Sequence, residues 1–330
     1  MKPKVFVTRR IPETGLSRIR AACDAEIWPE RLPPDSETIK SRIADCEGLV
    51  SLLTDKIDAE LFDAAPRLKV VSNFAVGFNN IDVPAATARG IRVGNTPGAL
   101  TDATADCAFM LLIAAARRLA EGILDVRGGR WLTWEPVGYL GVDLACKTLG
   151  VVGMGRIGYA LAKRCHGGWN MKVLYHDVQA SPRAEADFGA KRVELNALLK
   201  KSDFISVHAA LTPENYRHFG DVEFKLMKKT AVFVNTARGP LVDEEALFRA
   251  LHSNTIFAAG LDVTDPEPPD PRSPLLQLPN LVIAPHLASA TVTTRDGMAE
   301  ICADNLIAGV TGQPLRAWVN PDVAGKRRRG

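Results

Sequence analysis

The sequence predicts an α/β protein made of two doubly wound parallel-sheet domains. Three observations support this. Short apolar, β-branched runs alternate with helical segments across short connections, the rhythm of βα units. One apolar run ends in a glycine-rich turn that opens a helix, Gly153-Met154-Gly155-Arg156-Ile157-Gly158. A strong breaker, Asn95-Thr96-Pro97-Gly98, separates one αβ series from a second that begins with a long apolar helix.

In chain order, residues 5–7 read as a first buried strand. Residues 13–23 read as a helix with Leu16, Ile19 and Cys23 on one face. Strands follow at 25–28, 48–53, 68–74 and 91–93, with a helix from Pro33-Pro34-Asp35-Ser36 to about Ala44. After the fourth strand comes Ala75-Val76-Gly77-Phe78-Asn79-Asn80-Ile81-Asp82. It is open to two readings, a plain βα turn or a glycine turn whose amides point at an anion. Residues 101–118 form a mostly apolar helix, expected to be buried between two αβ halves. The loop Gly128–Pro136 carries Trp131 and Trp134 and reads equally as an exposed contact surface or as buried packing.

Residues 148–152 are then a strand feeding the glycine turn. Gly153 permits the turn, Gly155 allows backbone to approach a pyrophosphate, and Gly158 lets helix and strand pack closely. The helix N-terminus presents unpaired N–H groups and a positive dipole end. A second strand, 172–176, ends at Asp177, nineteen positions after Gly158, where a carboxylate can accept from ribose hydroxyls. Together these point to a dinucleotide site. Strands follow at 203–208, 229–235, 257–263 and 281–286, and a helix from about 291 to 308. If that helix packs back on the first half, the cofactor domain is 101–289, inserted in a domain made of 1–100 and 290–330.

Three polar residues follow three successive strands: Arg238, Glu267 and His286. Parallel strands deliver their C-terminal ends to one sheet edge, so these residues can converge. Their types suit reduction of a carbonyl. Histidine is a proton donor near neutral pH, a neighbouring carboxylate fixes its tautomer and stabilises the cation, and arginine clamps a carboxylate. Each also has a plainer reading: a surface charge, a solvated loop acid, a satisfied core histidine. His208, at another strand end, is the rival acid.

Composition narrows the class. The 330 residues are 46% hydrophobic and 24% charged, ordinary for a globular protein. The net charge is +3, and Lys326, Arg327, Arg328 and Arg329 supply more than all of it; the remainder, at about −1, argues against nucleic acid. That basic tail reads as a solvated end. No 18-residue apolar run suggests a membrane span, and residues 1–10 do not resemble a signal peptide. Six scattered cysteines without C-x-x-C spacing fit a reduced, cytoplasmic protein, and no metal-ligand spacing occurs.

Taken together, these motifs resemble those of the D-isomer-specific 2-hydroxyacid dehydrogenases, and within them the glyoxylate/hydroxypyruvate reductases. The resemblance covers nearly the whole chain. It is carried by 75–82, 95–98, Thr101-Asp102-Ala103-Thr104-Ala105-Asp106, 153–158, Asn235-Thr236-Ala237-Arg238-Gly239, Gly260-Leu261-Asp262-Val263 and Pro285-His286. It implies a Rossmann cofactor domain, 101–289, inserted in a flavodoxin-like substrate domain, 1–100 and 290–330. It implies Arg238 as substrate binder, Glu267 as support and His286 as acid/base, with Val76, Gly77 and Trp134 at the substrate. It places Thr104, Gly153, Gly155, Arg156, Ile157, Gly158, Asp177, Thr236, Asp262 and Ala288 along the cofactor. The Trp134 loop resembles one that reaches a partner's active site, implying a homodimer. The expected reaction is NAD(P)H-dependent reduction of glyoxylate or hydroxypyruvate to glycolate or D-glycerate. A bulkier 2-oxo acid, or a nucleotide-sensing binding protein on the same fold, stands as the alternative. Asp177 would repel a 2′-phosphate, so NADH is favoured over NADPH, with Arg183 as a partial offset. Departures from the family pattern are Asn79, Ala210 and Ala288, and none removes a catalytic group.

Overall fold

A computed structural model describes residues 1–323; the basic tail at 326–329 lies outside the described residues. The chain divides into two compact units, Met1–Leu100 with Ala290–Gly330, and Thr101–Ser289.

The first unit begins with β1 (Lys4–Val7), α1 (Glu13–Ala22), β2 (Asp24–Ile27), α2 (Ser36–Ile43) and β3 (Gly48–Ser51). It continues through α3 (Ala59–Ala64), β4 (Val70–Asn73), α4 (Val83–Ala88) and β5 (Arg92–Gly94). All strand pairs are parallel, in the order β2-β1-β3-β4-β5, with a topological switch between β1 and β3. Alternation along the strands sends Val5, Val7, Val50 and Val70 to one face and Phe6, Leu49 and Val71 to the other. α1 covers the first face together with the late helix α12 (Val292–Thr311); α2, α3 and α4 cover the second. α1 and α12 cross tightly, because a Cβ on Gly15 would stand 2.6 Å from the Ala299 carbonyl oxygen. Ser72 on β4 donates to the Cys302 carbonyl at 2.8 Å, and Arg92 lies over Trp318. α12 returns to this unit because its apolar residues pack on this sheet and on α1.

The second unit continues with α5 (Thr101–Ala116), α6 (Leu119–Arg127), β6 (Thr148–Val152), α7 (Arg156–Trp169), β7 (Lys172–His176), α8 (Pro182–Phe188), β8 (Lys191–Arg192) and α9 (Leu195–Lys201). Then come β9 (Phe204–Val207), α10 (Asp221–Leu226), β10 (Val232–Asn235), α11 (Glu244–His252), β11 (Ala258–Leu261) and β12 (Leu281–Ile283). The sheet is parallel throughout, in the order β12-β11-β10-β9-β6-β7-β8, the doubly wound arrangement with its switch between β6 and β9.

Two expectations change. α5 is buried as its composition requires, but the sheet of its own unit does this. Ala105, Ala108, Leu111, Leu112 and Ala115 pack with Val232, Val234 and Ala258 and against α7, while Met110 stays exposed. The last strand is shorter than its apolar run: Ala284 still donates to the Leu261 carbonyl, but at His286 the backbone turns to φ +52° and its amide goes to the Asp262 and Ala284 carbonyls. Several short helices escape periodicity, although Asp58 and Asp82 cap α3 and α4 by accepting the Leu61 and Ala85 amides. Among the described residues, no helix is long and apolar enough to cross a membrane, and no His/Cys/Asp/Glu group is arranged to hold a metal.

Candidate active site and dinucleotide cradle

β6 is buried from Leu149 to Val152 and ends where Gly153 takes φ +94°. That conformation is open to glycine, and a Cβ there would also stand 2.6 Å from the Ala209 nitrogen. A Cβ on Gly158 would stand 2.2 Å from the Gly153 carbonyl oxygen, so α7 packs directly on the turn. Gly155 differs from both. It is exposed, caps α7, and has no other atom within 4 Å of where a Cβ would lie. Open backbone at the start of a 14-residue helix fits the approach of a pyrophosphate. Arg156 is exposed there and Ile157 half-buried.

Asp177 follows β7. Its Oδ2 accepts from the Met154 amide at 2.7 Å and its Oδ1 from Gln179 at 3.1 Å. The acid therefore ties the second strand to the glycine turn besides presenting a negative charge. Beside it a cavity of 990 Å³ runs along α7, lined by Met154, Gly155, Arg156, Tyr159, Lys163 and Arg183 among others. Arg183 stacks on the Tyr159 ring at 4.3 Å, and Tyr159 donates to Asp187.

The ends of β10, β11 and β12 hold the polar constellation. Asn235 shapes the first turn: its Oδ1 accepts from Ala237 N at 3.0 Å and its Nδ2 donates to the Arg238 carbonyl at 2.8 Å. Arg238 is half-buried, and its guanidinium donates to the Ala237 carbonyl at 2.7 Å. Burial holds it below the usual arginine range, with the Glu267 carboxylate acting in the opposite sense. Gly239 packs against the Thr264 carbonyl, which brings this turn against the loop that carries Glu267. Glu267 Oε1 lies 2.5 Å from His286 Nδ1, with side chains 34% and 25% exposed. Sequence separation of 19 residues is thus closed to a direct hydrogen bond. A carboxylate at Nδ1 assigns the proton to that nitrogen and leaves Nε2 for other partners.

His286 has φ +52°, a conformation costly for a side chain of this size. Asp262 holds it there. Its carbonyl accepts the His286 amide at 3.0 Å, Oδ1 accepts Leu287 N at 2.8 Å and Oδ2 accepts Ala288 N at 2.9 Å. Asp262 is 1% exposed; burial raises its pKa, and the two amide bonds and His286 oppose that. Its carboxylate therefore clamps the histidine turn, a role sequence reasoning missed; a buried acid ending an apolar strand was the available signal. Thr104 and Ala288 are buried, and the Thr236 hydroxyl is buried without a hydrogen-bond partner among the described residues. Trp134 and Trp131 are exposed, which removes the reading of that loop as packing buried within the chain. Val76 and Gly77 lie in the first unit, half-buried after β4.

The rival histidine is unsuited to the acid role. His208 Nε2 is 2.9 Å from the Ser206 hydroxyl, and burial pushes its pKa down to about 4, so it is neutral at pH 7.

Known proteins resemble this chain over its whole length. Residues 109–288 match the model of the D-isomer specific 2-hydroxyacid dehydrogenase, NAD binding domain. A glyoxylate reductase of Korarchaeum cryptofilum is 50% identical, covering 100% of this chain and 99% of that protein. The crystal structure of the TT0316 protein from Thermus thermophilus superposes with a TM-score of 0.89 at 44% identity, covering 96% and 99% of the two chains. An NADPH-dependent glyoxylate/hydroxypyruvate reductase from Sinorhizobium meliloti, solved with NADP and malonate, has a TM-score of 0.85 at 31% identity over the whole of both chains.

His208 makes stability depend on pH. Unfolded, it protonates near its ordinary 6.5; folded, only near 4. The unfolded state binds the extra proton in that window, so its stabilising effect is present above pH 6.5 and is lost as pH falls toward 4. Urea midpoints at about pH 7.5 and about pH 4.5 should differ less in His208→Asn than in the parent. Equal differences remove the assignment.

Proposed function

We infer that this chain, which belongs to the D-isomer specific 2-hydroxyacid dehydrogenase family, is a nicotinamide-dependent oxidoreductase that reduces glyoxylate or hydroxypyruvate to glycolate or D-glycerate. The observation that carries the reading is the His286–Glu267 pair with Arg238 in its electrostatic field, at the strand ends of the sheet that bears the glycine cradle.

When bound, the nicotinamide supplies the hydride. The open backbone at Gly155, the packed glycines 153 and 158, Arg156 and Ile157 would hold the pyrophosphate, and Asp177 the ribose. Thr104, Thr236, Ala288 and the turn clamped by Asp262 would bound the nicotinamide end. Arg238 binds the substrate carboxylate and polarises the carbonyl; the family resemblance also assigns substrate contacts to the Val76 and Gly77 amides and to Trp134 of a partner chain. His286 gives the proton at Nε2 to the carbonyl oxygen, and Glu267 holds the ring and stabilises its cation. Residues 101–289 are accordingly the cofactor domain and the rest the substrate domain. Steady-state kinetics with glyoxylate should show kcat/KM falling about 10³-fold in His286→Ala. Arg238→Ala should lose about 10²- to 10³-fold. Retained activity in both folded variants rejects the mechanism.

NADH is the proposed reductant. The Asp177 carboxylate, already holding the Met154 amide, would oppose a 2′-phosphate nearby. Arg183, which lines the cavity along α7, works in the other direction. The ratio of kcat/KM for NADH over NADPH should exceed one and fall about tenfold or more in Asp177→Ser; a parent enzyme that prefers NADPH refutes the assignment.

A homodimer through α6 and the loop after it is supported by exposed apolar surface. No residue of α6 is buried, and Leu124, Val126, Trp131, Leu132, Trp134, Val137 and Leu140 are all more than half exposed. Asp125 joins helix and loop by accepting from Arg130 and Tyr139. Sedimentation should give a dimer at micromolar concentration and a monomer for Leu132→Asp; a monomeric parent excludes it. The unpaired thiols support a cytoplasmic location, which cell fractionation reads directly.

A further inference from the structure

The turn after β4 has all its carbonyls engaged and its amides free. The Thr96 amide donates to the Ala75 carbonyl at 2.9 Å, Asn95 Nδ2 to the Val76 carbonyl at 2.8 Å, and Asn73 Nδ2 to the Gly77 carbonyl at 2.9 Å. These peptides are trans, so each carbonyl points opposite to the following N–H. Three carbonyls drawn inward turn the amides of Val76, Gly77 and Phe78 outward. Among the described residues none of these three amides has an acceptor. Successive outward amides form a concavity that binds anions.

The carboxamides behind the turn are themselves locked. Asn73 is 0% exposed; its Nδ2 also donates to Asn80 Oδ1 at 3.2 Å, and its Oδ1 accepts the Ser51 hydroxyl at 3.0 Å. Asn80 Nδ2 donates to the Leu52 and Asp55 carbonyls, both at 3.0 Å. The buried Asp55 carboxylate accepts the Leu52 amide at 2.8 Å and the Thr8 hydroxyl. Asn305 Nδ2 donates to the Asn95 carbonyl at 2.9 Å, anchoring that residue to α12. Both ends of the turn are therefore pinned to β3, β5 and α12 before any ligand arrives.

We propose that Asn73, Asn80 and Asn95 are positioning residues that hold the 75–78 turn as a preformed amide cradle for the substrate carboxylate. This rests on the reductase reading above and adds residues that never touch the substrate. A bond from Asn95 to Val76 sets the Gly77 amide, and one from Asn73 to Gly77 sets the Phe78 amide, so each carboxamide acts through one peptide plane. Without the donor, that plane can rotate, and an amide aimed at the anion is lost.

The test uses the full-length protein with Asn95→Ala, half-buried and bonded to a single turn carbonyl, and Asn80→Ala as the second variant. KM for glyoxylate and the inhibition constant of oxalate should each rise about tenfold. kcat should change by roughly threefold or less, with the NADH dissociation constant unchanged. A lowered melting temperature with KM and oxalate inhibition both unaltered means that the asparagines only support the fold, and overturns the proposal. If Asn80→Ala does not fold, Asn95→Ala decides alone. A parent protein that turns over neither glyoxylate nor hydroxypyruvate refutes the reductase reading instead. Calorimetric binding of oxalate to the NADH complex then judges the cradle, and equal affinity, or no binding, in parent and Asn95→Ala overturns it.

Discussion

The Asp262 carboxylate, buried and shared between the amides of Leu287 and Ala288, is the interaction on which the candidate chemistry depends. It keeps the turn after β12 in one shape, and that shape holds His286 at a positive φ. Released from the clamp, the residue would relax to ordinary backbone and the ring would leave Glu267. The arrangement is stiff because each element is buried for its own reason. β11 delivers Asp262 from an apolar strand, the His286 amide turns onto the Asp262 carbonyl, and Gly239 packs the Arg238 turn on the loop that carries Glu267.

A second constraint is the doubly wound sheet. With every strand parallel, side chains alternate into helices on both faces, and the charged residues of the second unit's strands sit at the strand ends. Arg238 and His286, far apart in the chain, reach one edge for this reason. Asp177 and Gly155 reach the same edge of the same sheet beside the switch point. The first unit repeats the principle in its own sheet, where Asn73 closes β4 and controls the turn beyond it.

Much of this was legible in residues. The glycine spacing required a turn, an open approach and a close packing contact, and the three positions divide in that way. The ends of apolar runs pointed to Arg238 and His286, and the proline-rich loop after another such run pointed to Glu267. Less legible were the short capped helices, whose six or seven residues carry too little periodicity to stand out. The long apolar α5 showed that it is buried, without showing what covers it; its cover is the sheet of its own unit.

The sequence by itself determined which side chains are available and at what spacing, because strand and helix periods convert spacing into faces and ends. Only the tertiary structure decided which partner each polar group finds. Asp177 meets the Met154 amide, Asp262 meets the His286 turn, and Asn305 meets the Asn95 carbonyl. Those pairings join elements distant in the chain, and a hydrogen bond depends on distances of about 3 Å that no one-dimensional spacing specifies. The chemistry was written in residue types; the aim of each group came from the fold.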